Sequence, residues 1–267
     1  MKICFLDNSP IPYTTNDLNS KDIRGAESVL IHLSNELTKL DNKVVVFNNS
    51  LENKTINGVK WSNLNNVNKN ITYDLAFTNN DMKLFDKIIA NKYVAFSHSI
   101  QTIEKFIRKG QLISYLKYKP KIILGGKYHN NKRNYLLKMF GSINLQWAVD
   151  PLFLETNLDE GIIENRAIFT SRRDRNLDML IDIWKKKIFT QNKSIKLYTT
   201  PSNLIDNNYN IFTRNFNDKQ SMVKDLLKSK VLLVPGHKGE IFCIAAEEAR
   251  ELCIPIVTLG IGSLSER

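Results

Sequence analysis

Two carboxylates near the end of the chain, Glu240 and Glu248, have a residue type and a spacing that can do chemistry. An apolar, β-branched run at residues 231–234 comes before them and is followed by proline and glycine, which break regular structure. Apolar residues then recur at helical spacing from Phe242 to Leu252. The pattern therefore predicts a strand, a loop that holds Glu240 and a helix that holds Glu248.

The start of this helix is a place where an anion can bind. If the helix begins near Phe242, the backbone N–H groups of Phe242, Cys243 and Ile244 and the positive end of the helix dipole are available to a diphosphate. Glu240 does not attract phosphate, so it is better used to accept hydrogen bonds from sugar hydroxyls, with Glu248 reaching a ribose. The alternative is that Glu240 only complements the helix dipole and that Glu248 is a solvated surface residue.

A second polar loop carries three arginines. Residues 167–170 predict a strand, and apolar residues at helical spacing from Leu177 onward predict the helix that follows it. Arg172, Arg173 and Arg175 lie in the loop between them. Arginine side chains near the N-terminus of a helix fit phosphate oxygens, and the alternative is a solvated basic loop.

The first half of the chain offers two further candidates in loops. His98 follows the strand predicted at residues 93–96, and Gly25 opens a helix predicted by the spacing from Val29 to Leu40. In open α/β sheets ligands bind at the carboxyl ends of the strands, where a glycine lets the backbone approach a phosphate. The alternatives are that His98 caps or packs at the strand end and that Gly25 only makes a turn.

Predicted strands and helices alternate along the whole chain, which favours mainly parallel sheets covered on both faces. The remaining strands are predicted at residues 2–6, 43–47, 59–61, 73–77, 121–124, 194–198, 209–212 and 254–258. The remaining helices are predicted at residues 82–90, 103–116 and 221–227. His129 and His237 fall in predicted polar loops, and neither receives a role.

The composition is that of a globular protein. The chain has 267 residues, of which 42% are hydrophobic and 24% are charged. No apolar run reaches the roughly 18 residues of a membrane helix, and the N-terminus lacks an apolar signal core, which favours the cytoplasm. Cys4, Cys243 and Cys253 form no C-x-x-C pair, so we expect buried free thiols rather than disulfides or zinc.

Most of the excess positive charge lies at residues 105–149, where no aspartate or glutamate occurs, while the whole chain has a net charge of +11. Charge alone allows three partners, which are an anionic membrane, nucleic acid and a phosphorylated acceptor. Core packing explains the aromatic residues of this stretch more often than base stacking does, which favours a peripheral membrane contact over nucleic acid. Its cations are Lys105, Arg108, Lys109, Lys117, Lys119, Lys121, Lys127, Lys132, Arg133 and Lys138.

These motifs resemble those of family 4 of the retaining glycosyltransferases. Residues 240–249, EIFCIAAEEA, match its donor-site pattern E-x-F-C/G-I/L-x-x-x-E-A. Arg172 and Arg175 match the two basic positions of a loop in its donor lobe, and Cys253 stands where the family usually has glycine. Residues 24–27, RGAE, resemble its G-G-A-E loop, with Arg24 in place of the first glycine.

The resemblance implies an α/β protein of the GT-B fold, with two Rossmann-like lobes, mainly parallel sheets and an interlobe cleft. Residues 147–150 resemble the crossover between the lobes. Residues 1–150 would then form the acceptor-side domain and residues 151–267 the nucleotide-sugar donor domain. The donor domain would be incomplete at its end, because the family continues beyond this point.

The resemblance also implies a hexosyltransferase-like enzyme of polysaccharide or glycoconjugate biosynthesis. It would move a sugar from UDP- or GDP-sugar to an unidentified acceptor, with retention of configuration and without a metal or other cofactor. His98, which matches a histidine that contacts the transferred sugar, and Glu240 would be catalytic. Two alternatives stay open, a non-catalytic basic protein that binds nucleic acid or anionic membrane and a sugar-nucleotide epimerase. The donor would be bound by Gly25, Arg172, Arg175, Phe242, Cys243, Ile244 and Glu248.

Overall fold

The computed structural model describes residues 1–18, 20, 23, 25–51, 53–158, 163–200, 204–215 and 218–266. Arg24 and Arg267, which entered the expectations above, lie outside these ranges. Contacts between residues divide the chain into two units, Met1–Gln146 and Trp147–Arg267. In the described ranges, no helix has both the length and the apolar character that crossing a bilayer requires. The acceptor and donor roles of the two predicted domains remain predictions.

The first unit is built on one mainly parallel sheet. Within the described residues its strands are β1 (Lys2–Leu6), β2 (Lys43–Asn48), β3 (Lys54–Ile56), β4 (Val59–Asn63), β5 (Thr72–Asn79), β6 (Ile89–Phe96), β7 (Lys121–Leu124) and β8 (Ser142–Asn144). Their order is β3-β4-β2-β1-β5-β6-β7-β8, and β3 pairs with β4 in the antiparallel sense. The chain adds strands on one side of β1 and then on the other, so the order reverses between β1 and β5.

The helices of the first unit differ from the predicted ones in two places. Residues 82–90 do not form one helix, because a 3-10 helix at Met82–Lys87 gives way to β6. The helix predicted at 103–116 is interrupted at Gly110, which has a φ of +63°. The helices are α1 (Gly25–Lys39), α2 (Ile103–Arg108), α3 (Leu112–Tyr118) and α4 (Lys127–Lys132), with further 3-10 helices at Thr15–Asp17, Leu64–Asn66 and Tyr135–Lys138.

Both faces of this sheet are buried. In β1, Ile3 and Phe5 belong to the apolar cluster that includes Ile31 of α1, whereas Cys4 and Leu6 belong to a second cluster. Successive residues of a strand point to opposite faces, so this alternation places packed layers on both sides. The prediction of a mainly parallel sheet covered on both faces is therefore confirmed for the first unit.

The second unit has a smaller sheet. Within the described residues its strands are β9 (Arg166–Ile168), β10 (Lys196–Thr199), β11 (Ile211–Thr213), β12 (Val231–Leu233) and β13 (Ile256–Val257). The order is β11-β10-β9-β12-β13 with parallel pairs, so it reverses between β9 and β12. The helices are α5 (Pro151–Glu155), α6 (Leu177–Ile183), α7 (Phe189–Gln191), α8 (Lys219–Leu227) and α9 (Ile244–Glu251), with a π-helix at Trp184–Ile188 and 3-10 helices at Asn207–Tyr209 and Gly262–Glu266.

After α9, Cys253 has a backbone conformation that glycine adopts more easily than cysteine. Cys253 has a φ of +56°, in the left-handed region that is costly for residues with a β-carbon. Its N–H donates to Arg250 O at 3.0 Å and the Ile254 N–H donates to Ala249 O at 2.9 Å, which is the Schellman pattern of hydrogen bonds. The expected burial of the free thiols is confirmed for the other two cysteines and is wrong for Cys253, which is exposed.

Candidate functional site

The loops that follow β9 and β12 meet at the point where the strand order of the second sheet reverses. In open α/β sheets the crevice at such a point binds ligands. The first loop carries Arg172 and Arg175, and the second carries His237 and Glu240. The side-chain Nδ2 of Asn176 donates to the backbone O of Gly236, and this hydrogen bond joins the two loops.

Arg175 and Glu240 form an ion pair within this crevice. Arg175 Nε lies 3.3 Å from Glu240 Oε2, and the two side chains are 21% and 13% exposed. Burial raises the pKa of the Glu240 carboxyl above its usual value, and Arg175, Arg172 and His237 oppose that rise. The structure thus brings together the cation and the carboxylate that the sequence offers in separate motifs.

His237 is a part of this site that the sequence analysis leaves without a role. Its Nδ1 accepts a hydrogen bond from the Gly239 N–H at 3.0 Å and lies 3.3 Å from Arg175 Nη1, which is also a donor. An Nδ1 atom that accepts from two donors assigns the ring proton to Nε2. The remaining Nε2–H can donate to a ligand. The one signal in the sequence that points to His237 is its position in a loop after a predicted strand.

Two glycines let the loop before α9 lie against the loop after β13. A β-carbon on Gly262 would stand 2.2 Å from His237 O and 3.0 Å from Glu240 O, and one on Gly236 would stand 2.5 Å from Ile261 O. The Ser263 N–H donates to Glu240 O at 2.9 Å. The backbone of Glu240 is therefore positioned by a contact that leaves no space for a side chain at Gly262.

The helix after this loop begins later than predicted. Its first residue is Ile244, and Cys243 is the N-cap in an extended conformation with φ −95° and ψ 92°. Phe242 precedes the cap, and its ring lies 5.4 Å from the Trp147 ring between centroids. The amides that open the helix are thus those of Ile244 and Ala245 rather than those of Phe242 and Cys243. The donor contacts expected of these residues stay predictions.

Glu248 lies on α9 in a partly buried, charged environment. Its pKa is raised to about 7, chiefly by burial, with Lys219 opposing the rise and Asp150 adding to it. Lys219 Nζ is 2.5 Å from Asp150 Oδ2, so Glu248 stands beside an existing ion pair. This burial argues against the solvated-surface alternative, while its contact with a ribose stays a prediction.

The three arginines of the loop after β9 have different surroundings. Arg175 alone of these three pairs with Glu240 in the described residues. Arg172 is 71% exposed and pairs with Asp174 at 3.0 Å, and Arg173 is 59% exposed and pairs with Asp178 at 3.2 Å. Arg172 still lies close enough to Glu240 to oppose the rise in the pKa of that carboxyl. Arg175 is therefore the best placed of the three to act in a shielded site.

In the first unit, His98 lies two residues after the end of β6, in the loop where it is predicted. Its backbone N–H donates to Asn80 Oδ1 at 2.9 Å, and its ring stacks on Phe96 with centroids 6.2 Å apart. Burial lowers the pKa of His98 to about 4, and His129 adds to that effect. The imidazole is therefore neutral at pH 7. His129, expected in a polar loop, is fully buried in α4, so that expectation is wrong.

Buried carboxylates lie at the carboxyl end of β1. Gly25 begins α1, and Glu27 in the same turn is buried and accepts a hydrogen bond from the Ser9 hydroxyl at 2.9 Å. Asp7 accepts from the Tyr13 hydroxyl at 2.5 Å, and its pKa is raised, chiefly by burial and also by Glu27. These acids suit hydroxyl groups better than the phosphate expected at Gly25. That phosphate contact stays a prediction.

Comparisons with known proteins find similar solved structures but no similar sequence. No family model and no curated protein matches the chain. HepE from Anabaena, solved with UDP and glucose, has a TM-score of 0.66 at 13% identity, covering 100% of this chain and 82% of HepE. Sucrose-phosphate synthase from Thermosynechococcus elongatus gives 0.63 at 11% identity, covering 100% and 83%. WaaG, a glycosyltransferase involved in lipopolysaccharide biosynthesis, gives 0.64 at 11% identity, covering 99% and 82%.

At these identities the likeness shows the fold alone. The structures named are GT-B glycosyltransferases, and the parallel sheets of the two units have the Rossmann-like order that such proteins share. In the described residues, no three His, Cys, Asp or Glu side chains are grouped as a metal ion requires. The predicted α/β fold class is confirmed, and the chain has the GT-B fold.

Proposed function

We propose that the protein is a family 4-like glycosyltransferase that moves a sugar from a nucleotide-sugar donor to an acceptor, with retention and without a metal. The observation that carries this proposal is the cluster of Arg175, His237 and Glu240 where the second sheet reverses its strand order. HepE was solved with UDP-glucose as well as with UDP and glucose, and an α-glucosyltransferase of similar fold was solved with UDP. These ligands favour UDP as the nucleotide.

Arg175 can serve the diphosphate and Glu240 at the same time. A guanidinium has five N–H donors, and the ion pair with Glu240 engages Nε. The Nη groups remain for phosphate oxygens, with Arg172, the Nε2–H of His237 and the first amides of α9 as further donors. Together these groups neutralise the leaving diphosphate, which is the work that a metal ion does in other enzymes.

The carboxylates and the neutral histidine recognise hydroxyl groups. Glu240 accepts hydrogen bonds from the transferred sugar while it fixes Arg175, and Glu248 reaches the ribose. His98 is neutral at pH 7, so it can donate to or accept from a sugar hydroxyl without adding charge. In this arrangement, cations and backbone amides bind the diphosphate, and hydrogen-bond acceptors bind the sugar and ribose hydroxyls.

Calorimetry with UDP and uridine tests the donor site. We expect UDP to bind more tightly than uridine, and Arg175→Ala to weaken UDP about tenfold or more while changing uridine little, because the lost partner is a phosphate oxygen. Arg173→Ala is the matched control, since Arg173 lies in the same loop but is exposed and pairs with Asp178. Equal losses of UDP and uridine in Arg175→Ala would contradict a phosphate contact.

The first unit has a surface that suits an anionic membrane. Lys119, Lys121 and Lys127 of the acid-free stretch are exposed. Large apolar side chains of the same stretch of sequence are exposed as well, and exposed apolar side chains together with lysines suit a lipid interface. They include Ile107 at 61%, Ile113 at 79%, Tyr135 at 84% and Met139 at 60% exposure. We therefore propose peripheral contact with the inner face of the cell membrane.

Vesicle binding tests this contact. The full chain should sediment with phosphatidylglycerol vesicles at low salt and be released as salt rises, because each lysine near the surface contributes about 1 kcal/mol within a Debye length of about 10 Å. Lys119→Glu with Lys121→Glu should abolish binding. Lys187→Glu with Lys193→Glu, an equal charge change in the second unit, should not. Tight binding of single-stranded RNA without vesicle binding would support the basic-protein alternative instead.

A further inference from the structure

A small open cavity lies in the first unit, where β5 and β6 end. Its enclosed volume is about 20 Å³, and the cavity opens to solvent. The carboxyl edge of a mainly parallel sheet is where open α/β proteins bind ligands, so the cavity is well placed to hold one. Its polar lining includes Asn80, Ser97, Ser99, Gln101, Lys105 and Lys109.

Two of these lining residues are lysines without a carboxylate partner. Lys105 is half-buried, and its Nζ donates to Ser99 Oγ. Neither Lys105 nor Lys109 forms an ion pair in the part of the chain that the structure describes. Lys117, from the same acid-free stretch, differs because it pairs with Asp86 at 2.8 Å. Among the described residues, the positive charge of the two lysines at the cavity therefore lacks the carboxylate partner that Lys117 has.

A third cation is buried in the segment that contacts the backbone of Gln101. Arg133 is only 4% exposed, and among the described residues its Nε and Nη1 have no hydrogen-bond partner. It is linked to the cavity wall through its neighbour, since the Asn134 N–H donates to Gln101 O at 3.1 Å. A buried guanidinium without a counter-charge is costly, and an anion bound nearby lowers that cost.

The pKa values of this region reflect the same excess of positive charge. Burial lowers the pKa of Lys105, and Lys109 and Arg108 lower it further. Burial also lowers the pKa of His129 to about 4, and Arg133 and Lys105 add to that effect. No carboxylate contributes to either shift. The groups around the cavity repel one another, and a ligand with negative charge would relieve the repulsion.

One lining residue offers a hydrogen-bond acceptor. Gln101 is 5% exposed, and its Oε1 has no partner among the described residues. A buried amide oxygen left without a donor is unfavourable, and a ligand hydroxyl supplies such a donor. The cavity therefore combines cations for a negative group with an acceptor for a hydroxyl.

We propose that this cavity binds a phosphorylated sugar or polyol, with Lys105 and Lys109 at the phosphate oxygens and Gln101 accepting from a hydroxyl. A phosphate monoester carries about two negative charges at pH 7 and three acceptor oxygens, which match several uncompensated cations better than a carboxylate does. The further step of identifying this ligand as the acceptor of the sugar rests on the proposed glycosyl transfer. The binding of the ligand to the cavity does not depend on that proposal.

Calorimetry on the full chain at fixed ionic strength tests the proposal with three probes, which are glucose 6-phosphate, glucose and inorganic phosphate. Glucose 6-phosphate should bind more tightly than either of the others. Lys105→Met and Lys109→Met should each weaken its binding about tenfold or more, the loss expected for one charge-assisted hydrogen bond. Both variants should bind UDP like the wild type, because neither lysine is among the residues assigned to the donor.

Lys121→Met is the matched control. It removes one exposed lysine of the same stretch at the amino end of β7, away from the carboxyl edge that holds the cavity. Glucose 6-phosphate should bind this variant as it binds the wild type. No binding of glucose 6-phosphate, or equal losses in Lys105→Met and Lys121→Met, would overturn the proposal. If the wild type binds glucose 6-phosphate through Lys105 but binds no nucleotide sugar, the proposed transfer fails and the cavity proposal stands.

Discussion

Glu240→Gln should abolish most sugar transfer while leaving UDP binding intact. The substitution keeps the shape of the side chain but removes the charge that pairs with Arg175 Nε across 3.3 Å. The amide is a weaker acceptor for sugar hydroxyls, and a contact needed in the transition state contributes about 1 to 3 kcal/mol. The rate of UDP release from UDP-glucose should therefore fall about 10- to 100-fold or more.

UDP binding separates this role of Glu240 from a structural one. Without the carboxylate, the Arg175 guanidinium is fully available to the diphosphate, so the Kd of UDP should stay the same or fall. Glu251→Gln is the control, because it makes the same change on α9 at a residue that pairs with the exposed Arg250 at 3.4 Å. Wild-type turnover in Glu240→Gln would show that the carboxylate has no role in transfer, and weaker UDP binding would indicate a displaced loop.

The order of the elements and the placement of the candidate loops could be predicted from the sequence. Strand patterns depend on local burial, and they place Arg175 and Glu240 at the carboxyl ends of β9 and β12 without any knowledge of tertiary contacts. The ion pair between them could not be predicted. Which of three neighbouring arginines meets Glu240 depends on the geometry of the loop, which places Arg172 and Arg173 beside Asp174 and Asp178 instead.

Other features depend on packing that a local pattern does not contain. The apolar spacing of α9 continues back to Phe242, but that ring packs on Trp147, and the extended Cys243 delays the first helical residue to Ile244. His129 stands among polar residues in the sequence, yet its ring is buried, with Nε2 3.1 Å from Ser99 O. In both cases a tertiary contact decides what the local sequence leaves open.

The acid-free stretch shows that a run of basic residues does not by itself describe a basic surface. Lys117 is paired with Asp86, an acid from a different part of the chain, and Arg133 is buried. Lys105 lines a cavity, while Lys119 and Lys121 are exposed. The basic residues of one stretch therefore lie in at least two different environments, a cavity and an exposed surface. For this reason we assign the cavity and the exposed lysines to different ligands.

Gly262→Ala should destroy the donor site through its effect on the backbone. A β-carbon at this position would stand 2.2 Å from His237 O and 3.0 Å from Glu240 O, and the φ of +76° is in the left-handed region. The loop that carries His237 and Glu240 must move, so UDP binding and UDP release from UDP-glucose should both be lost. The strain and the steric overlap together should lower the free energy of unfolding by roughly 2 kcal/mol or more.

Gly260→Ala is the control that has the backbone strain of Gly262→Ala without its steric overlap. Gly260 also has a positive φ, +64°, but a β-carbon there would have no neighbouring atom within 4 Å. This variant should lose about 1 kcal/mol of unfolding free energy, from strain alone, and should keep UDP binding. Chemical denaturation and UDP calorimetry on both variants make the comparison. If the two variants lose the same stability and both bind UDP, the contact between Gly262 and the loop of Glu240 does not position the donor site.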